Sequence, residues 1–107
     1  MAYTKKDVKD ILDSYQIADR SLVPHASELI VMVNRSEEYS GSRSELFVKN
    51  GVLYENHGSH CSCHGFEEQW KPEVTYLKAI RKRPDGFEGV KAHQVVALAR
   101  AAGYNGE

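Results

Sequence analysis

The sequence predicts an α+β fold in which a three-stranded antiparallel sheet packs with three helices. Three observations indicate this class: a helical period of apolar residues near the N-terminus, an Asn-Gly pair between two β-prone runs, and an alanine-rich stretch that stops at a glycine. The 107 residues are 41% hydrophobic and 27% charged, which is typical of a globular protein. We therefore assign residues 1–107 to a single domain.

The first helix is predicted over residues 4–16. Thr4 followed three residues later by Asp7 is typical of a capped helix start. Apolar residues then recur at helical spacing, which favours an amphipathic helix with one buried face. These residues are Val8, Ile11, Leu12 and Tyr15.

A buried strand is predicted next in the chain. Residues 17–27 show neither the helical nor the strand period, and we interpret them as a connector. Residues 28–34 (ELIVMVN) form a short apolar run rich in β-branched side chains, which predicts a strand with both faces covered. The following residues 35–44 are polar and contain a glycine, so they are predicted to be a loop.

A β-hairpin is the most specific local prediction. The β-prone runs ELFVK and VLYE flank Asn50-Gly51, and these two residue types tolerate the positive φ of a two-residue type I′ turn. This turn fixes the register, so both faces of the hairpin carry apolar cross-strand pairs. The predicted pairs are Val48 with Leu53 and Phe47 with Tyr54.

Two further helices are predicted in the C-terminal part. Residues 72–82 begin with Pro72 and Glu73, which suit a first helical turn, and end in basic residues that suit the negative end of the helix dipole. Residues 88–102 are rich in alanine and valine, and Gly103 stands where a C′ glycine is expected. The sequence therefore places both helices after the hairpin.

The motif HGSHCSCH joins the hairpin to the second helix and contains three of the five histidines and both cysteines. Thiolate and imidazole are the preferred ligands of zinc, and four of them close a tetrahedral site. One interpretation of this loop is therefore a structural metal site with Zn²⁺ as the cofactor. The candidate ligands are His57, His60, Cys61, Cys63 and His64.

The crowding of ligands on one loop disfavours binding by all of them at once. Structural zinc sites generally take their ligands from two separate chain segments. We expect Cys61 and Cys63 to bind together with one or two of the histidines. The remaining ligand would come from elsewhere in the chain. The candidates are His25, His93, Glu55, Glu67 and Glu68.

Two other interpretations of the motif stay open. In the first, it is a polar turn whose histidines and cysteines pack or cap without a metal. In the second, it is the active site of a small metal- or thiol-dependent enzyme, with Cys61 or Cys63 as thiolate and His60 or His64 as base. The sequence contains no nucleophile elbow or phosphate-binding glycine loop, so we expect a protein that is not an enzyme.

The charge balance bears on the class of partner. The chain has 14 basic and 15 acidic side chains, which gives no electrostatic basis for binding nucleic acid. The basic residues 78–83 (KAIRKR) allow two interpretations, a solvated helix end or a surface that contacts the phosphates of a nucleic acid. The charge balance makes the nucleic-acid-binding function the weaker alternative.

The cellular compartment is predicted from the apolar runs and the cysteines. The N-terminus lacks the apolar stretch of a secretion signal, and the apolar run of residues 29–33 is far shorter than the roughly 20 residues that span a bilayer. Two cysteines separated by one residue cannot form a stabilising disulfide framework. We expect a cytoplasmic protein without a membrane partner.

Residues from His60 to Glu73 form the pattern HCSC-x-GFE-x-x-W-x-PE. This pattern resembles one in small phage-encoded proteins of unknown function, and the resemblance extends over about residues 52–80. It implies an accessory protein in the cytoplasm of a bacterial host, which binds and modulates or inhibits a host or defence protein. It implies no activity and assigns no role to a residue. The sequence leaves the oligomeric state open, and a homo-oligomer is one alternative.

Overall fold

The computed structural model describes residues 3–107, so Met1 and Ala2 of the predicted domain lie outside the described residues. It has the predicted α+β architecture, with a four-stranded antiparallel sheet in the order β1-β2-β3-β4. The fourth strand has only two residues and was not predicted. The elements are α1 (Lys5–Tyr15), β1 (Leu29–Ser36), β2 (Ser40–Lys49), β3 (Val52–Cys61), β4 (Glu73–Val74), α2 (Leu77–Arg81) and α3 (Ala92–Ala101).

Helix α1 begins at the predicted cap. The backbone N–H of Thr4 donates to a carboxylate oxygen of Asp7 at 2.7 Å, which satisfies a donor that the helix itself leaves free. The helix ends at Tyr15, and the C-cap residue Gln16 that follows has a φ of 51°, in the left-handed region. Its buried face carries Ile11 and Tyr15, as the apolar period predicts.

The hairpin has the predicted turn and register. Asn50 and Gly51 have φ angles of 53° and 76°, as a type I′ turn requires. Strands β2 and β3 both extend well beyond the β-prone runs, so residues 40–44 and 57–61 are strand and not loop as predicted. These residues are mostly polar, and backbone pairing places them in strands although their side chains lack an apolar pattern. The confirmed pairs are Val48 with Leu53 and Phe47 with Tyr54.

The prediction of a second helix over residues 72–82 is largely wrong. Glu73 and Val74 form strand β4 beside β3, and the backbone N–H of Thr75 donates to the carbonyl of Leu53 at 2.9 Å. Pairing with an available strand edge outweighs the weak helical preference of this proline-started segment, so the helix begins only at Leu77.

The third predicted helix forms, but it starts later than expected. Residues 87–90 make a tight turn in which Phe87 and Val90 exchange two backbone hydrogen bonds of 2.9 Å each. Helix α3 therefore begins at Ala92 and not at Glu88. Gly103, with a φ of 93°, follows the helix in the predicted C′ position.

The sheet separates two apolar clusters. On one face, residues of α2 and α3 pack with residues of the sheet in a cluster of Ile30, Val31, Leu46, Val48, Leu53, Leu77, Ile80, Phe87, Val95, Ala99 and Tyr104. On the other face, α1 covers Leu29 and Phe47 with Ile11 and Tyr15, and Tyr54, Phe66 and Trp70 pack against them. Strand β1 lies at a sheet edge and runs to Ser36, so residues 35 and 36 are strand and not loop as predicted. Its first three residues are buried, but its last three are exposed, so the prediction that both faces are covered holds only at the start of the strand.

The hairpin turn provides a stability test. A Cβ atom added at Gly51 would meet no heavy atom within 4 Å, so Gly51→Ala adds only the cost of positive φ. We expect a loss of about 1 kcal/mol in the free energy of unfolding, measured by urea titration. Gly51→Asn is the control and should cost less, since asparagine tolerates this conformation. An alanine variant as stable as wild type would contradict the assignment of a type I′ turn.

Candidate metal centre

Three of the five predicted ligands meet at a tight turn that follows strand β3. The turn is closed by two backbone hydrogen bonds between Cys61 and His64, of 3.1 and 3.4 Å. The ligand atoms of Cys61, Cys63 and His64 lie within 4.8 Å of one another. The backbone N–H of Cys63 also lies 3.4 Å from the Cys61 sulfur, which holds that sulfur over the turn. This geometry brings two thiols and an imidazole to one point that could hold a metal ion.

The electrostatics of the turn favour a thiolate at Cys61. The Cys63 thiol and the Cys63 backbone N–H stabilise that thiolate, and they lower the pKa of Cys61. The hydrogen bond to the Gly65 carbonyl and the nearby Cys61 sulfur raise the pKa of His64. Because a metal binds thiolate and not thiol, the lowered pKa of Cys61 prepares it as a ligand.

The other two predicted ligands lie on opposite faces of β3 and outside this cluster. The His57 ring contacts Phe87, with ring centroids 5.5 Å apart, on the face covered by α2 and α3. The His60 ring meets Phe66 edge to face at 4.9 Å on the face covered by α1. Since side chains alternate along a strand, residues three apart cannot converge on one ion. Sequence spacing alone suggested a shared site because the continuation of β3 was not predicted.

None of the predicted supplementary ligands joins the cluster within residues 3–107. His25 instead begins the short 3₁₀ turn Ala26–Glu28, where its backbone N–H donates to Glu28 at 2.8 Å. The cluster that the structure shows therefore has three ligands from a single turn.

A glutamine side chain anchors the segment after the turn to the free edge of β3. The amide oxygen of Gln69 accepts the backbone N–H of Ser59 at 2.8 Å, and its nitrogen donates to the Ser59 carbonyl at 2.7 Å. The same nitrogen donates to the Gly65 carbonyl at 2.9 Å. The Gln69 side chain thus makes the two backbone hydrogen bonds that a neighbouring strand would make with Ser59. No sequence pattern predicted this contact.

A second group of polar side chains surrounds His57. The ring lies 2.8 Å from the Ser44 hydroxyl through Nδ1 and 2.7 Å from Glu55 through Nε2. Arg83 donates two hydrogen bonds to the same carboxylate, at 3.0 and 2.7 Å. Burial opposes the negative charge of Glu55, but the bonds from His57 and Arg83 outweigh it and hold the Glu55 pKa far below its ordinary value.

The order serine, histidine, carboxylate has the form of an activated nucleophile. However, Ser44 is only 5% exposed and lines none of five surface cavities of 170–450 Å³, although His57 and Glu55 line one of them. A substrate carbonyl in any of these five cavities would therefore meet the histidine and not the hydroxyl. We interpret the arrangement as a polar contact that ties the turn of residues 83–90 to the sheet.

A third polar group is buried on the opposite face. Tyr15 donates to Glu45 at 2.7 Å, Arg43 donates to the second oxygen of the same carboxylate at 2.7 Å, and Glu45 has no exposed surface. The Arg43 guanidinium also lies 5.1 Å from the Tyr15 ring centroid. Pairing of the charge is what makes its burial tolerable.

The basic segment predicted for the alternative nucleic-acid function is partly occupied by ion pairs. Arg83 pairs with Glu55 as described, and Arg81 pairs with Glu107 at the C-terminus. These carboxylates compete with phosphate for the two guanidinium groups.

No family model matches the chain, and comparison with the curated proteins and with the solved structures returned no match. Within the described residues, no helix has the length and apolar character needed to cross a bilayer.

His57 should make stability depend on pH. Its hydrogen bond with Glu55 raises the His57 pKa, so the folded state binds the proton more tightly than the unfolded chain. This contribution to the free energy of unfolding is fully present at a pH below the ordinary histidine pKa. It is lost as the pH rises from the ordinary histidine pKa through the raised pKa of His57. Over that pH range we expect the urea midpoint of wild type to fall relative to that of His57→Gln. Parallel pH profiles of the two proteins would contradict this role.

Proposed function

We propose that this protein is a small zinc-binding interaction protein, in which Cys61, Cys63 and His64 hold Zn²⁺ and the fold acts by contacting another protein. The observation that carries the metal assignment is the convergence of these three ligand atoms within 4.8 Å on one turn. Zinc is the ion favoured by a mixed thiolate and imidazole set. The lowered pKa of Cys61 supports binding by that sulfur, whereas the hydrogen bond with Cys61 raises the pKa of Cys63, so zinc has to displace the Cys63 proton on binding.

The position of the cluster favours a role in binding over a role in catalysis. Cys63 and His64 are exposed at the end of the sheet, and Cys61, Cys63 and His64 line none of the five cavities described above. A catalytic zinc generally lies in a pocket that positions substrate and excludes water. A metal at an exposed turn instead fixes the shape of a surface.

The edge strand β4 offers a surface for a partner. Val74 and Tyr76 are 52% and 55% exposed, and β4 is the last strand of the sheet, so its outer backbone edge can pair with another chain. Large apolar side chains beside an open strand edge are typical of protein-binding surfaces. With the resemblance to phage-encoded proteins, the proposed partner is a bacterial host or defence protein.

The zinc assignment is tested by metal content. Wild-type protein purified without chelator should retain zinc after dialysis and, when loaded with Co²⁺, show thiolate-to-cobalt charge-transfer absorption. Cys61→Ser/Cys63→Ser should lose both properties, since serine is a poor zinc ligand. His57→Gln is the matched control and should bind as wild type does, because His57 lies outside the cluster. A folded wild-type protein that binds neither ion would refute the assignment.

The partner surface is tested by affinity purification from bacterial lysate. Wild type should recover a stoichiometric protein that mass spectrometry identifies, and Val74→Ser/Tyr76→Ser should lose it because apolar contact area is removed. Tyr39→Ser is the control, since Tyr39 is also exposed but lies in the turn between β1 and β2. Equal recovery by wild type and the β4 variant would exclude this surface.

A further inference from the structure

The metal cluster described above lacks one ligand. Structural zinc is almost always four-coordinate, and the cluster supplies three ligand atoms. Within residues 3–107 no further histidine, cysteine or carboxylate side chain belongs to it. The Glu67 carboxylate lies against Gly65 and outside the cluster, so a zinc ion held here would take its fourth ligand from water or from another molecule.

The exposure of the two cysteines differs and indicates which sulfur another molecule can reach. Cys61 is half-buried at the end of β3, whereas Cys63 is exposed in the turn. A thiolate can bridge two zinc ions, so an exposed Cys63 can bind its own ion and one held by a neighbouring molecule. The half-buried Cys61 is less suited to that contact.

A second turn projects from the same end of the sheet. Ser40, the first residue of β2, pairs with Cys61, so the preceding residues Glu37, Glu38 and Tyr39 lie beside the cluster. Tyr39 is 71% exposed, which makes it the most exposed large apolar side chain among the described residues. It offers an aromatic contact next to the metal ligands.

We propose that two copies of this chain join at this end of the sheet, with the Cys63 thiolate of each copy as the fourth ligand of the zinc held by the other. The proposal rests on the zinc function proposed above. Each ion is then bound by Cys61, Cys63 and His64 of one copy and by Cys63 of the second copy. A twofold axis between the ions gives both the same four-coordinate surroundings.

Charge favours this arrangement over a single zinc shared by four thiolates. Two Zn²⁺ ions balance four thiolates, so the bridged core is neutral, and the four thiol protons pass to solvent on binding. A single ion with the same thiolates would leave two negative charges beside Glu37 and Glu38 of both copies. Because these carboxylates repel each other across the interface, the metal-free chain should be a monomer.

The test measures mass and metal content together on the full chain, by native mass spectrometry and light scattering with a phosphine reductant present. We expect a dimer with two zinc ions, which chelator returns to monomer. A monomer with one bound zinc would overturn the bridge and leave the zinc function intact. A dimer with one zinc, or one that survives chelation, would overturn the bridge by Cys63. Absence of zinc binding would overturn both proposals.

Two variants separate the interface from the metal. Tyr39→Ser should weaken the zinc-dependent dimer while each chain still binds zinc. This substitution removes an aromatic contact at the edge of the proposed interface and leaves the metal ligands unchanged. Tyr76→Ser, at the other exposed aromatic position, should dimerise as wild type does. Unchanged dimerisation of the Tyr39 variant would overturn the placement of the interface at this end.

Discussion

The register of the β2–β3 hairpin is the constraint on which the rest of the structure depends. With Val48 opposite Leu53, the side chain of Leu46 faces α2 and α3, and Glu45 faces α1. A slip of one residue would exchange these two side chains, placing an unpaired carboxylate in one apolar cluster and leucine against the Tyr15 hydroxyl. The Asn-Gly turn excludes this slip locally, and burial of both faces excludes it globally.

The same alternation distributes the buried charges. Glu45 on one face binds the helix residue Tyr15, and Glu55 on the other binds Arg83 in the segment before α3. Each carboxylate therefore connects a separate part of the chain to the sheet at a defined point. In a protein of this size such contacts are costly when broken, because a charge without its partner stays buried.

The candidate metal cluster also depends on β3, because its position is set by where the strand ends. Within HGSHCSCH, the part up to Cys61 is paired with β2, which sends His57 and His60 to opposite faces. Only beyond the last paired residue is the backbone free to turn and bring Cys63 and His64 back toward Cys61. The prediction that the cysteines bind with one or two histidines is consistent with this cluster, whereas His57 and His60 have separate packing roles.

The sequence by itself determined the features that depend on neighbouring residues: the cap at Thr4, the Asn-Gly turn and its register, the C′ glycine, and the concentration of candidate metal ligands near Cys61. Tertiary structure decided what depends on distant partners. The extension of β3 through polar residues and the replacement of a predicted helix start by β4 both arise from backbone pairing, which is nearly independent of side-chain type. The contacts of Glu45, Glu55 and Gln69 likewise join residues that no local pattern relates, so only the folded chain shows them.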